Sequence, residues 1–281
     1  MPELPEVETV RRGLAPVMEG QTFVRVQIRR KNLRIPFPLG FAQRLEGQRV
    51  LNVHRRAKYL LITTQKEVLI WHLGMSGQVR IYKADDDKGP IGKHDHVQFD
   101  LTGGATIVFT DPRRFGLMDL TKPDHVMDHR FIKDLGPEPL GNEFSGPILA
   151  TSLKGRKTSI KQAIMDAHLV VGVGNIYASE SLYRAGLSPK RLAYTVQGGR
   201  AEKLANAIKA VLTEAIQAGG STLKDHRTTD GKLGYFQHNF AVYGRTGKAC
   251  PDCDCNIFQT KGIRRLEQGG RSTYYCSRKQ R

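Results

Sequence analysis

MPELPEVETVRRGLAPV, residues 1–17, begins the chain with a proline behind its methionine and continues with apolar residues at helical spacing. Val7, Val10, Leu14 and Val17 recur every three or four positions, which predicts one buried helix face, and Pro5 suits a first helical turn. Removal of methionine ahead of a small residue leaves Pro2 as a terminal secondary amine. Such an amine can attack an electrophilic carbon and become an iminium that draws electrons. Glu3 lies beside it and Glu6 near the helix start, where the dipole favours negative charge. One of the two suits general acid–base work and the other suits orienting the terminus.

Outward from this helix the period changes to two. Val24–Ile28, Tyr59–Thr63, Val68–Trp71, Val79–Tyr82, Val97–Leu101 and Thr106–Phe109 read as antiparallel strands, with Gly103-Gly104 turning one hairpin. Breakers then concentrate from Gly136 to Pro147, and beyond them Leu153, Ile160, Ile164, Ile176–Tyr183 and Leu204–Ile216 predict consecutive helices as far as Gly219-Gly220. Alternation returns in the tail (Ile263, Leu266, Ser272–Tyr275) around Gln268-Gly269-Gly270, a hairpin with cysteines at its base. The expected fold is multidomain α+β. It comprises an antiparallel β-sandwich with a leading helix over 1–135, a linker over 136–151, a helical domain over 152–241 and a β-hairpin module over 242–281.

Lys and Arg total 44 against 27 Asp and Glu, a net charge of +17 that favours a polyanionic partner, nucleic acid first. The tail from Ala241 carries nine Lys/Arg against three Asp/Glu and all four cysteines, as a small basic metal module would. No run approaches the roughly 18 apolar residues of a membrane span. A soluble, cytoplasmic protein is expected, in which disulfides are disfavoured.

MPELPEVETV is similar to the opening of the formamidopyrimidine-DNA glycosylases. The resemblance continues in order through RRAKYL (55–60), HLGMSG (72–77), KHDHV (93–97), DPRRFG (111–116), VVGVGNIYASESLYRAG (170–186), GGSTLKDH (219–226), DGKLGYFQ (230–237), VYGRTGKACPDC (242–253) and GRSTYYC (270–276). It implies a bacterial, monomeric base-excision-repair enzyme acting on double-stranded DNA with oxidised bases. Pro2 would attack C1′ of the damaged nucleoside to give a Schiff base and Glu3 would transfer protons. Lys58 and Arg271 would assist the β- and δ-eliminations that cut the strand. An enzyme that extrudes a base must fill the hole it leaves. The resemblance assigns that wedge to Met75, Arg113 and Phe115, and backbone phosphates to His94, Lys157, Lys161 and Asn175. Asn175 follows Gly172 and Gly174 at a helix start, where free amides favour a phosphate, as in the family's helix–two-turn–helix. The segment from Gly219 to Gln237 matches the loop that closes over the flipped base.

The metal module departs from its family, in which two Cys-x-x-Cys pairs hold one zinc ion. Cys250 and Cys253 form the first pair and Cys276 begins the second, but Lys279 occupies the fourth place. Cys255 is the remaining thiol and can complete a four-cysteine zinc-finger site. Three thiolates with water, or a metal-free hairpin, are the other arrangements. Two other functions are weighed against purine excision. An endonuclease VIII-like enzyme for oxidised pyrimidines usually opens PEGPE, where this chain has Leu4. A non-catalytic damaged-DNA-binding protein would not need Pro2, Glu3, Glu6, Lys58 and Arg271 intact.

Overall fold

The structure, a computed structural model, describes residues 2–221, 235–253 and 256–281. Cys255 and most of the expected lesion loop therefore lie outside the described residues. The chain divides into two compact units, Met1–Asp134 with Ala218–Tyr235, and Leu135–Gln217 with Phe236–Arg281.

In the first unit, α1 (Leu4–Met18) starts earlier than the apolar period predicts, because Glu6 reaches back to stabilise its first turn. Glu6 Oε2 accepts the Glu3 amide at 2.8 Å, half of a reciprocal cap. Val7, Val10, Leu14 and Met18 are buried and join the core beside Val50 and Val53 of β2 (Val50–Arg56). Two four-stranded antiparallel sheets carry that core. One is ordered β1 (Phe23–Ile28), β6 (Asp95–Leu101), β7 (Thr106–Thr110), β5 (Gln78–Tyr82). The other is ordered β2, β3 (Tyr59–Thr64), β4 (Val68–His72), β8 (Leu117–Thr121). Trp71 of β4 meets Phe109 of β7 edge-on at 5.2 Å and tilts against Phe99 of β6 at 5.8 Å. Aromatic rings thus interleave between the sheets, the packing that makes a sandwich. A short helix, α2 (Phe41–Leu45), covers β1.

Ala218–Ser221 and Tyr235 belong to this unit, although the sequence reading places them with the helices. The reason is again Glu6, whose Oε1 accepts the Ser221 amide at 2.8 Å and its hydroxyl at 2.9 Å. Ser221 and Tyr235 also pair as an antiparallel bridge, closing the base of the segment between them.

The second unit holds α3 (Gly146–Leu153), α4 (Ile160–Ile164), α5 (Asn175–Arg184) and α6 (Gly199–Gln217). It ends in a single turn of helix, α7 (Ile257–Thr260), and the hairpin of β9 (Arg264–Gln268) and β10 (Arg271–Tyr275). α3 begins inside the stretch read as linker; Pro147 sits in its first turn and Leu149 and Leu153 are buried. Leu204, Ile208, Val211, Leu212 and Ala215 form the buried face of α6, which packs on α3 and α5. β10 lies against α5. Buried Glu180 of α5 accepts the amides of Ala241, Val242 and Tyr243 at 2.9, 3.0 and 2.8 Å, fixing the strand of chain that enters the hairpin. Burial pushes the Glu180 carboxyl up and these amides pull it back, so its proton affinity remains above the usual range.

Candidate functional site

Pro2 and Glu3 are buried immediately ahead of α1, and Glu6, 2% exposed, holds them by the Glu3 amide. The same carboxyl group holds Ser221. One side chain thus holds both the Glu3 backbone behind Pro2 and Ser221, near the start of the segment read as the lesion loop, a link between positions 215 residues apart. A buried carboxyl with three hydrogen bonds costs little desolvation and restricts the terminus to one geometry.

Lys58 sits at the tip of the β2–β3 hairpin beside Ala57, whose φ of 55° is unusual for a residue with a side chain. Strain of this kind, about 1–2 kcal/mol, is tolerated where the surrounding structure needs the position. Arg55 helps by donating to the Ala57 carbonyl at 2.9 Å. The Lys58 ammonium acts on His72, which stands across from Tyr59 in the β3–β4 pairing. Enclosure first, then the Lys58 and Arg34 charges, push the His72 imidazole down to about 4, so the ring is neutral at ordinary pH although one edge remains accessible. The Gly74 amide donates to Nδ1 at 2.9 Å, which assigns the ring proton to Nε2. Lys58, Arg34 and a neutral N–H donor form a cluster suited to an anion. Sequence reasoning missed Arg34 and His72; His72 opens the HLGMSG run, but in sequence nothing marks a neutral, donor-locked histidine.

Met75 and Phe115 border a hollow of about 330 Å³ with Arg34, His72 and Gly74. Both are partly exposed, at 39% and 43%. The Arg113 guanidinium lies 4.8 Å over the Phe115 ring. The expected trio is therefore assembled on two adjoining loops. His94 is half-buried and placed by its carbonyl, which accepts the Asp111 amide at 3.0 Å.

In the second unit Asn175 is the first residue of α5, behind Gly174, where amides and helix dipole favour an anion. Its Nδ2 donates to the Ser272 carbonyl at 2.9 Å and reaches the Tyr243 hydroxyl at 3.4 Å. Lys161, expected at a phosphate, is instead 1% exposed. Its ammonium donates to Asn175 Oδ1, to Thr273 Oγ1 at 2.7 Å and to the Ser272 carbonyl at 3.4 Å. These bonds use the three protons an ammonium has, so Lys161 positions Asn175 and β10 rather than facing a ligand. Lys157 is exposed between α3 and α4, and Arg271 is exposed at the start of β10 after the Gly269-Gly270 turn.

The sulfurs of Cys250, Cys253 and Cys276 lie within 4.8 Å of one another, placed to bind a metal ion. Tetrahedral zinc with Zn–S near 2.3 Å sets its sulfurs about 3.8 Å apart. Cys276 Sγ is 3.6 Å from each of the other two, which fits; the Cys250–Cys253 separation of 2.7 Å must open by about 1 Å. Burial pushes the Cys250 thiol up, so a metal entering there displaces a proton. Lys279 is turned to Asp252, 3.2 Å away, and its Nζ lies 4.2 Å over the Tyr183 ring. Gln280 further ties this segment down, accepting the Cys276 amide at 2.7 Å and donating to the Leu187 carbonyl at 2.9 Å.

Comparison with known proteins agrees with these features. Residues 1–118 match the family model of the formamidopyrimidine-DNA glycosylase N-terminal domain, and residues 135–227 match that of the H2TH domain. Formamidopyrimidine-DNA glycosylases of Rhodospirillum rubrum and Azorhizobium caulinodans are 52% and 53% identical, with all of each chain covered. The Lactococcus lactis enzyme, solved as a mutant with DNA containing Fapy-dG, superposes with a TM-score of 0.89 at 30% identity over 99% of both chains. The Thermus thermophilus MutM (Fpg) structure gives 0.86 at 39% identity, covering 99% of this chain and 98% of that one. With family models, fold and full-length relatives in agreement, the chain belongs to the formamidopyrimidine-DNA glycosylase family of base-excision-repair enzymes.

Proposed function

We propose that this enzyme excises oxidised purines, 8-oxoguanine and formamidopyrimidines, from double-stranded DNA and then cuts the strand. The observation that carries the reading is the buried Pro2-Glu3 terminus, held by Glu6 in the same unit that presents the Met75, Arg113 and Phe115 wedge. Pro2 nitrogen, freed of Met1, attacks C1′; the C1′–N bond breaks and the base leaves with a proton supplied through Glu3. The C1′–O4′ bond then opens, O4′ taking a proton and the proline nitrogen losing its own, to leave an iminium at C1′ that acidifies C2′–H, so that β-elimination breaks the C3′–O bond and δ-elimination the C5′–O bond. Lys58 and Arg271 assist by holding phosphate oxygens as they leave. Asn175, Lys157 and His94 hold the backbone around the lesion. Phe115 and Met75 fill the vacated stack while Arg113 pairs with the orphaned base.

Cys250, Cys253 and Cys276 would hold zinc, with Cys255 as the fourth ligand of the sequence reading, and a bound ion would order the basic hairpin that carries Arg271. Among the described residues no helix is long and apolar enough to cross a membrane. Relatives of known structure include Lactococcus lactis Fpg with DNA containing an abasic site, which supports DNA as the ligand here. The enzyme acts as a monomer in the bacterial cytoplasm.

Borohydride trapping tests the reading. A duplex with 8-oxoguanine opposite cytosine should give a covalent protein–DNA adduct, formed faster than with thymine glycol and lost in Pro2→Gly. Absence of the adduct removes the amine mechanism, and a faster reaction with thymine glycol makes the enzyme a pyrimidine glycosylase.

A further inference from the structure

Asp111 carries no exposed surface and lies between β7 and the Arg113–Phe115 loop. Its carboxyl group joins that loop to the Met75 loop. Oδ1 accepts the Ser76 hydroxyl at 2.6 Å, and Oδ2 accepts the Gly116 amide at 2.7 Å. Ser76 Oγ in turn accepts the Arg113 amide at 3.2 Å, so the bridge runs in both directions between segments 35 residues apart. The Asp111 carbonyl closes the turn by accepting the Arg114 amide at 3.2 Å and is met by His96 Nε2 at 2.9 Å. The two loops touch backbone to backbone here. A Cβ on Gly74 would stand 2.3 Å from the Gly116 nitrogen, and one on Gly116 would stand 2.7 Å from the Phe109 ring.

Among the described residues the wedge side chains have no such support of their own. Met75 and Phe115 are exposed, and Arg113 touches only the Phe115 face among the contacts described above. Their spacing is therefore set by the backbone beneath them, and the buried side chains that fix that backbone are Asp111 and Ser76.

We propose that Asp111 and Ser76 are positioning residues for base extrusion, holding Met75, Arg113 and Phe115 at the separation at which they enter the DNA stack together. The inference rests on the wedge reading of the preceding subsection. It assigns to Asp111 an effect on one step. Extruding an intact base requires breaking its stacking, whereas a preformed abasic site has no base to unstack, so strand cutting there depends less on the wedge.

The test uses the full-length enzyme with Ser76→Ala, which removes the bridge but leaves the Asp111–Gly116 bond, and Asp111→Ala, which removes both. Single-turnover excision of 8-oxoguanine should slow about tenfold or more in each, as expected for losing a buried hydrogen bond that the reaction uses. Cleavage of a preformed abasic duplex should change less than about threefold. In a Phe115→Ala background, which already lacks the wedge ring, adding Ser76→Ala should cost less than about twofold, because both act through one element. Equal losses on lesion and abasic duplexes, or a multiplicative loss in the double variant, would overturn the proposal. So would wild-type excision by Ser76→Ala. Should Asp111→Ala fail to fold, Ser76→Ala alone decides. The borohydride adduct on an abasic duplex reports the Pro2 chemistry separately, so failure of the mechanism and failure of this inference give different results.

Discussion

Glu6→Gln is the substitution whose effect can be worked from geometry. Gln is isosteric but has one carbonyl oxygen where Glu has two acceptors. If that oxygen takes the Oε1 place, both Ser221 bonds survive and the new amide NH₂ faces the Glu3 N–H, donor against donor. The opposite orientation keeps the Glu3 bond and lets the Ser221 hydroxyl accept from the NH₂, but sets that NH₂ against the Ser221 N–H. In either orientation one buried backbone donor loses its acceptor, and the tie between the Pro2-Glu3 segment and Ser221 is broken on one side. Losing this buried bond costs about 1–3 kcal/mol, and if the terminus must be returned to its geometry at each reaction, the rate falls about 5- to 150-fold. The assay is single-turnover borohydride trapping on 8-oxoguanine DNA, with affinity measured in parallel. Trapping should fall by that factor while affinity changes by less than about threefold. A folded Glu6→Gln protein that traps at the wild-type rate would show that the terminus does not depend on Glu6.

Zinc content separates the candidate ligands: Cys276→Ser and Cys253→Ser should lose the ion, Cys255→Ser should lose it equally if it is the fourth ligand, and Lys279→Ala should retain it. Full zinc in Cys255→Ser leaves a three-thiolate site. His72 should contribute an acid-sensitive part of stability. Its folded value near 4 lies below the unfolded value of about 6.5, so the contribution is complete above pH 6.5 and is lost as pH falls toward 4. At most about 3 kcal/mol is involved. His72→Gln should flatten the fall in Tm between those pH values; an unchanged slope would place the acid sensitivity elsewhere.

The strands that sequence shows clearly either alternate, such as β3, whose residues are buried every second position, or are short continuous apolar runs, such as β4 and β7. β2 escapes this reading because a register shift between Val50 and Asn52 spoils its period, leaving Val50 and Val53 buried three apart. β8 escapes it because Asp119 interrupts its apolar run while Leu117 and Met118 are buried side by side, so it neither alternates nor forms the continuous buried run of β4 and β7. The same division holds at the site. Met75, Arg113 and Phe115 are visible as residues in recognisable runs, but the Asp111–Ser76 bridge that seats them spans 35 positions and has no local signature. Lys161 shows the converse: the resemblance assigns it to a phosphate, and only packing reveals that its ammonium is buried and donates to Asn175 and Thr273.

The backbone-to-backbone contact of Gly74 with Phe115 and Gly116 separates two properties that protein engineering usually trades against each other. Stability of these loops resides in buried atoms, whereas Met75, Arg113 and Phe115 project from them into solvent. Replacing any of the three should leave the melting temperature nearly unchanged, as for surface positions generally. A library randomised at these three positions could therefore be selected for discrimination of the base opposite the lesion without first being stabilised. By contrast, even Ala at Gly74 would fail before specificity could be measured.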